Sequence, residues 1–340
     1  MITMPIVKAS CIRGCLSVRK PRVLVGIQLH SEALQQLQAV AEVDVQDLTR
    51  LQDKTYLQSI IGAYDGIIVA PIPLDREVLQ YAVNLKVISR RGVGYDTVDV
   101  ETATEHGIYV TVTPVLSGTV ADLAFALLLA TARQVSQAHQ LISNQRWLKR
   151  QDRDRFVGSD VFGKTLGIIG LGRIGSEMAK RARGFEMPLR YYDLIRNYSY
   201  EKEYHIQFQS LHRVLSEADF ISIHVPLTPR TRGLIGEPEF KMMKRTAIII
   251  NTARGAIIDE KALYTALHEK WIAGAGLDVF EEEPIRLDNP LLALDNVVLT
   301  PHLAGATVEC RRRTATVAVE NVIQVLQGKH PRYSINELKA

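Results

Sequence analysis

Three residues able to hold a carboxylate and move a proton stand just after apolar, β-branched runs of this chain. Arg254 follows the run ending at Asn251, Glu283 the run ending near Asp278, and His302 the run Val297–Leu299. An arginine binds a carboxylate through two parallel hydrogen bonds, a histidine exchanges a proton near neutral pH, and a carboxylate orients that histidine. Singly, each has a plainer reading. Arg254 could pair with a neighbouring acid, Glu283 could close the solvated run Glu281–Glu283, and His302 could be a hydrogen-bonded loop histidine. Their common placement counts against the plainer readings, because open parallel sheets bind ligands outside the carboxyl ends of their strands.

A second constellation lies at GIIGLGRIG, residues 167–175, which begins as a buried strand and ends as the opening of a helix. Lacking a Cβ, Gly170 allows the tight turn, Gly172 lets a pyrophosphate approach the backbone, and Gly175 lets the helix pack on its strand. The helix amides then face an anion. Alone, the pattern also fits a glycine-rich turn that binds nothing. The next strand, Leu189–Tyr192, ends in Asp193, 18 residues beyond Gly175 and 23 beyond Gly170. A carboxylate there accepts hydrogen bonds from the adenosine ribose and repels a 2′-phosphate, so NAD is the expected cofactor. Arg196 is the nearby feature that would favour tolerance of NADP.

The elements that must position these residues alternate between strand and helix, twice over. Val23–Ile27, Gly66–Val69, Val87–Ser89 and Tyr109–Val112 form a first parallel α/β series. A second runs through Leu166–Ile169, Leu189–Tyr192, Phe220–His224, Ala247–Asn251, Gly274–Asp278 and Val297–Leu299. Between them, Thr119–Ile142 reads as one long helix, nearly apolar all round over Leu123–Ala130, and therefore buried against a sheet or a second subunit. A last helix is expected over Thr307–Leu326.

The 340 residues, 46% hydrophobic, contain no apolar run approaching a membrane span and suit about two soluble domains. A net charge of +4, from 41 basic against 37 acidic residues, does not suggest a nucleic-acid partner. The basic clusters at Arg146–Arg155 and Arg311–Arg313 read as solvated faces. Cys11, Cys15 and Cys310 form no even framework and no CxxC pair, which suits a reducing compartment and no metal site. Residues 1–20 carry four basic residues and no acid, faintly like a transit peptide and equally like a disordered extension; a cytoplasmic location is expected.

Six segments, RRGVGYDTVDV (90–100), TVADLAFALLLATAR (119–133), GKTLGIIGLGRIG (163–175), INTARGAIIDEKAL (250–263), GLDVFEEEP (276–284) and LTPHLAGAT (299–307), closely resemble the NAD-dependent D-2-hydroxyacid dehydrogenase family. The resemblance runs from about Val23 to Leu326. It implies an α/β protein of two parallel-sheet domains, a Rossmann NAD-binding domain (118–300) inserted into a flavodoxin-like substrate-binding domain (21–117 and 301–340) after an N-terminal extension (1–20). It also implies a homodimer. Carried over, His302 is the acid that protonates the carbonyl oxygen in reduction, Glu283 raises its pKa, and Arg254 binds the α-carboxylate. The amides of Val93 and Gly94 complete the carboxylate cradle. Arg173 and Ile174 lie on the pyrophosphate, Asp193 on the ribose, and His224, Val225 and Pro226 beside the adenosine. Thr252 and Ala253 line the nicotinamide side, with Gly305 and His302 also at the cofactor, and Asp278 contacts the carboxamide.

Departures from family patterns narrow the substrate. Glu283 stands where formate dehydrogenases carry glutamine, and Val93 where phosphite dehydrogenases carry lysine. The segment 113–133 looks more like glyoxylate and hydroxypyruvate reductases, with Trp147 placed to reach a partner's active site. A 3-phosphoglycerate dehydrogenase without a regulatory domain is the alternative. A different class, an NAD-responsive corepressor, is disfavoured because Leu303, Ala304 and Gly305 follow His302 where those relatives show tryptophan.

Overall fold

The structure, a computed structural model, describes residues 19–338; Cys11, Cys15 and nearly all of the N-terminal extension lie outside the described residues. Short apolar runs, buried on both faces in the central strands, build two fully parallel sheets, the pattern expected when helices cover both sides. The first contains β1 (Arg22–Val25), β2 (Glu42–Val45), β3 (Gly66–Val69), β4 (Val87–Arg90) and β5 (Tyr109–Thr111), in the order β2-β1-β3-β4-β5. This is the flavodoxin-like order.

The second contains β6 (Leu166–Ile169), β7 (Leu189–Tyr192), β8 (Gln207–Phe208), β9 (Phe220–Ile223), β10 (Ile248–Asn251), β11 (Gly274–Leu277) and β12 (Val297–Leu299). Its order, β12-β11-β10-β9-β6-β7-β8, reverses between β6 and β9, the switch point of a doubly wound nucleotide-binding sheet. The chain completes the first sheet, builds the second, and returns. Its last helix, Val308–Leu326, packs on β3 and β4 and buries Ala318, Val319 and Val322 against Val23, Val25 and Val87. Where the two crossings pass each other, Leu116, Val120, Ala304 and Cys310 form a small core of their own.

The long helix expected over Thr119–Ile142 is two helices, Ser117–Ala132 and Val135–Ser143, set at 67°. The break falls at Gln134, whose φ is +51°. Residues 157–159 cross the end of the first helix: Ser159 N donates to Ala132 O at 2.9 Å, and the Gln134 side chain donates to Val157 O at 3.1 Å. The first helix is held by the core, with Ala121, Ala124 and Leu128 fully buried against the second sheet and the helix Arg173–Arg183. The second helix buries none of its residues. No single helix among the described residues is long and apolar enough to cross a membrane.

Candidate active site

The arginine, glutamate and histidine leave the ends of three neighbouring strands. After β10, the buried Asn251 accepts from Ala253 N at 3.0 Å and donates to Arg254 O at 2.9 Å, which fixes the turn carrying Arg254. Gly255 then packs on the next loop so closely that a Cβ would lie 1.9 Å from the Phe280 carbonyl carbon. Arg254 reaches across to the first sheet. Its Nε donates to Asp96 Oδ1 at 2.9 Å and its Nη1 to Ala253 O at 2.7 Å, and its guanidinium lies against Gly94. A Cβ at Gly94 would fall 1.4 Å from Arg254 Nη2.

After β11, Glu283 accepts from Phe280 N through Oε1 at 3.1 Å and contacts His302 Nδ1 through Oε2 at 2.6 Å. The carboxylate holds the His302 pKa above its ordinary value, against the opposing effects of burial and of Arg254. Burial pushes Glu283 up, but the His302 hydrogen bond and charge, the Phe280 amide and Arg254 together bring it below the usual range. With Nδ1 engaged, Nε2 is the nitrogen free to exchange a proton with a ligand.

A cleft between the sheets, about 690 Å³, is lined by Arg254 and His302 together with Val93, Gly94, Arg173, Ile174, His224, Val225, Pro226, Thr252, Ala253 and Gly305. The nucleotide turn sits at its edge. Gly170 has φ +95°, and a Cβ at Gly175 would lie 2.1 Å from Gly170 O, whereas nothing stands within 4 Å of a Cβ at Gly172. That open face before the N-terminus of the helix Arg173–Arg183 fits a dinucleotide diphosphate. Asp193 accepts from Leu171 N at 2.8 Å and Leu194 N at 2.7 Å, so its carboxylate is fixed beside the turn. Thr252, buried in the cleft wall with no partner for its Oγ1 among the described residues, offers an unused hydrogen-bonding group to a ligand in the cleft. Burial pushes His224 down to about 3 and keeps it neutral, with Nε2 2.8 Å from Ser222 Oγ.

Asp278 is fully buried, and its carboxylate accepts from Thr300 Oγ1 at 2.6 Å, Leu303 N at 2.9 Å and Ala304 N at 2.9 Å, so it holds the His302 loop. Asp96 was missed from sequence. The Arg254–Asp96 pair joins positions 158 apart, and only the presence of Asp96 in the GVGYD turn could have flagged it.

Residues 125–304 match the family model described as D-isomer specific 2-hydroxyacid dehydrogenase, NAD binding domain. A glyoxylate reductase of Korarchaeum cryptofilum is 45% identical over 94% of this chain and 96% of its own length. The chain belongs to the D-isomer-specific 2-hydroxyacid dehydrogenase family. A D-3-phosphoglycerate dehydrogenase of Methanocaldococcus jannaschii is 43% identical over 93% of this chain but only 59% of its own length. The solved structure of TT0316 from Thermus thermophilus superposes with a TM-score of 0.86 at 41% identity, covering 93% of this chain and all of that one. The protein is thus an NAD-dependent D-2-hydroxyacid dehydrogenase, an oxidoreductase that moves a hydride between its nicotinamide cofactor and a small 2-oxoacid or 2-hydroxyacid.

Proposed function

We propose that this dehydrogenase reduces a short 2-oxoacid of the glyoxylate and hydroxypyruvate type, with Arg254, Glu283 and His302 in the roles of carboxylate ligand, positioning carboxylate and proton donor. The observation that carries the reading is the joint placement of the Arg254 guanidinium and the His302 imidazole on one cleft, the second of them held by a 2.6 Å contact with Glu283 that raises its pKa. Arg254 holds the substrate carboxylate with the Val93 and Gly94 amides and polarises the adjacent carbonyl. His302 Nε2 delivers a proton as negative charge builds on the carbonyl oxygen, and the neighbouring cation stabilises that charge. Bound nicotinamide supplies the hydride, while the protein supplies position and field.

In the same reading Asp193 binds the adenosine ribose and favours NAD(H), and Arg196 does not counter it. Arg196 Nε and Nη2 each lie 2.8 Å from a Glu201 oxygen. We assign 21–117 and 301–340 to the substrate-binding domain and 118–300 to the NAD-binding domain, in keeping with how the helices Ser117–Ala132 and Val308–Leu326 pack. The unburied helix Val135–Ser143 and the exposed Trp147, Leu148, Val157 and Phe162 support a homodimer joined through this arm.

The test is oxidation of NADH by the purified protein against glyoxylate, hydroxypyruvate, 3-phosphohydroxypyruvate and pyruvate. His302→Ala should lower kcat by about 10²–10⁴ while NADH still binds. Unaltered turnover would remove His302 from the mechanism, and NADH binding without turnover of any 2-oxoacid would overturn the reading in favour of a sensor or corepressor.

A further inference from the structure

The Val93 and Gly94 amides, which hold the substrate carboxylate in the reading above, have no hydrogen-bond partner among the described residues, and both residues line the cleft. A loop amide serves a ligand well only if its direction is fixed before the ligand arrives. The loop that carries these two leaves β4 through Gly92, whose φ of +124° suits glycine and few other residues. Glycine lets the loop bend there. Having the freest backbone of any residue, it does nothing to hold the bend in place.

What holds it is Thr113, fully buried on the segment that runs from β5 to the helix Ser117–Ala132. Its Oγ1 accepts from Gly92 N at 2.7 Å, and its own N donates to Gly92 O at 2.8 Å. One residue thus grips both peptide groups that meet at Gly92. In a trans peptide the C=O and the following N–H lie in one plane and point opposite ways. Drawing Gly92 O towards the buried Thr113 therefore turns Val93 N–H away from the buried side. The grip has a firm base. Val112 N donates to Tyr333 O at 3.1 Å, and Val112 O accepts at 3.2 Å from Nδ2 of Asn321, itself buried in the helix Val308–Leu326.

We propose that Thr113 is the positioning residue of the carboxylate cradle: its hydroxyl, with its amide, sets the direction of the Val93 and Gly94 N–H groups and so how tightly the substrate carboxylate is held. The proposal rests on the reading in which those amides and Arg254 bind the carboxylate. In this role Thr113 acts through Gly92 and touches no substrate atom. It stands at the start of the first crossing between the two sheets, so the cradle takes its orientation from the segment that joins them. If Thr113 did no more than satisfy the Gly92 amide, losing its hydroxyl would cost stability and leave substrate affinity as it was.

The test measures KM and kcat with NADH for the best 2-oxoacid, the Kd of NADH, and the Kd of oxamate, an unreactive 2-oxoacid analogue, for the NADH-bound enzyme by fluorescence titration. Wild type is compared with Thr113→Val, which keeps the shape and loses the hydroxyl, and with Thr113→Ser, which keeps the hydroxyl. In Thr113→Val, KM and the oxamate Kd should rise together by about 3- to 10-fold, the size of one neutral hydrogen bond, with kcat and the NADH Kd little changed, and Thr113→Ser should restore most of the loss. Should Thr113→Val fail to fold, Thr113→Ala against Thr113→Ser isolates the same hydroxyl. A hydroxyl-free variant with lowered Tm but wild-type KM and oxamate affinity overturns the proposal. A serine variant as impaired as the valine one also overturns it, since the methyl group would then be what matters. Arg254→Lys, run beside them, separates the two readings: if it weakens oxamate while Thr113→Val does not, only the role of Thr113 falls, and if it leaves oxamate binding unaltered, the carboxylate reading falls and the proposal with it.

Discussion

Replacing Glu283 by Gln keeps the shape of the carboxylate and removes its charge, which isolates what the 2.6 Å contact to His302 Nδ1 does. A hydrogen bond to a charged group contributes about 1.5–3 kcal/mol. The two side chains are 42% and 36% exposed, and solvent screening brings the figure to roughly 1–2 kcal/mol, or roughly 5- to 30-fold in kcat for reduction. The pH profile gives the sharper signature. In the proposed mechanism reduction needs protonated His302, so its rate should fall as pH rises through a pKa that Glu283 holds above 6.5. In Glu283→Gln that alkaline limb should retreat to lower pH. By the same mechanism oxidation of the hydroxyacid needs neutral His302, so its acid limb should move the same way, and the variant should lose less in oxidation than in reduction in mildly acid buffer.

Stability carries a matching signature. The raised His302 pKa contributes fully below 6.5 and is lost as pH rises through the native value, while the lowered Glu283 pKa contributes above 4.5 and is lost as pH falls through its native value. The difference in Tm between wild type and Glu283→Gln should therefore be largest between 4.5 and 6.5. Paired initial-rate profiles in the two directions test the argument. Equal losses in both directions at every pH, with neither limb displaced, would refute it.

Two further outcomes follow from the geometry. In Gly94→Ala the new methyl group would lie 1.4 Å from Arg254 Nη2, so the guanidinium must shift from its place; KM for the 2-oxoacid should rise about 10- to 100-fold with NADH affinity retained, and an unchanged KM would count against Arg254 holding the carboxylate from that position. Asp193→Ser should admit NADPH, and adding Glu201→Gln should improve it further by releasing Arg196 from its bidentate pair; a double variant no better with NADPH than Asp193→Ser alone would mean that Glu201 has no part in cofactor choice.

Buried strands were the most legible part of the chain. Gly66–Val69, Leu166–Ile169 and Leu189–Tyr192 have the bounds expected from their runs. The edge strands β2 and β8 escaped, because EVDV and QF are partly exposed and lack a buried apolar run. The break at Gln134 was hidden too, since what stops the helix is a segment more than twenty residues further on, crossing the Ala132 carbonyl. At the site, residues recurring in short loop motifs were readable, and side chains whose meaning lies in a distant partner were not. Asp96 needs Arg254 and Thr113 needs Gly92 before either has a role.

The catalytic candidates come together because β10, β11 and β12 are sheet neighbours, so loops far apart in sequence emerge side by side at one carboxyl edge. Adjacency alone would leave three mobile loops. Each outer loop is instead pinned by a buried polar side chain at the base of the turn, Asn251 under Arg254 and Asp278 under His302. The second anchor has the harder task, for His302 sits at φ +49°, a left-handed conformation that costs a non-glycine residue about 1–3 kcal/mol. Its own amide donates to Asp278 O at 2.8 Å, and the next two amides donate to the Asp278 carboxylate. Bonds of this kind, made to a fully buried carboxylate, offset that cost. The imidazole is thereby presented to Glu283 and to the cleft before any ligand arrives, so binding energy need not be spent on ordering it.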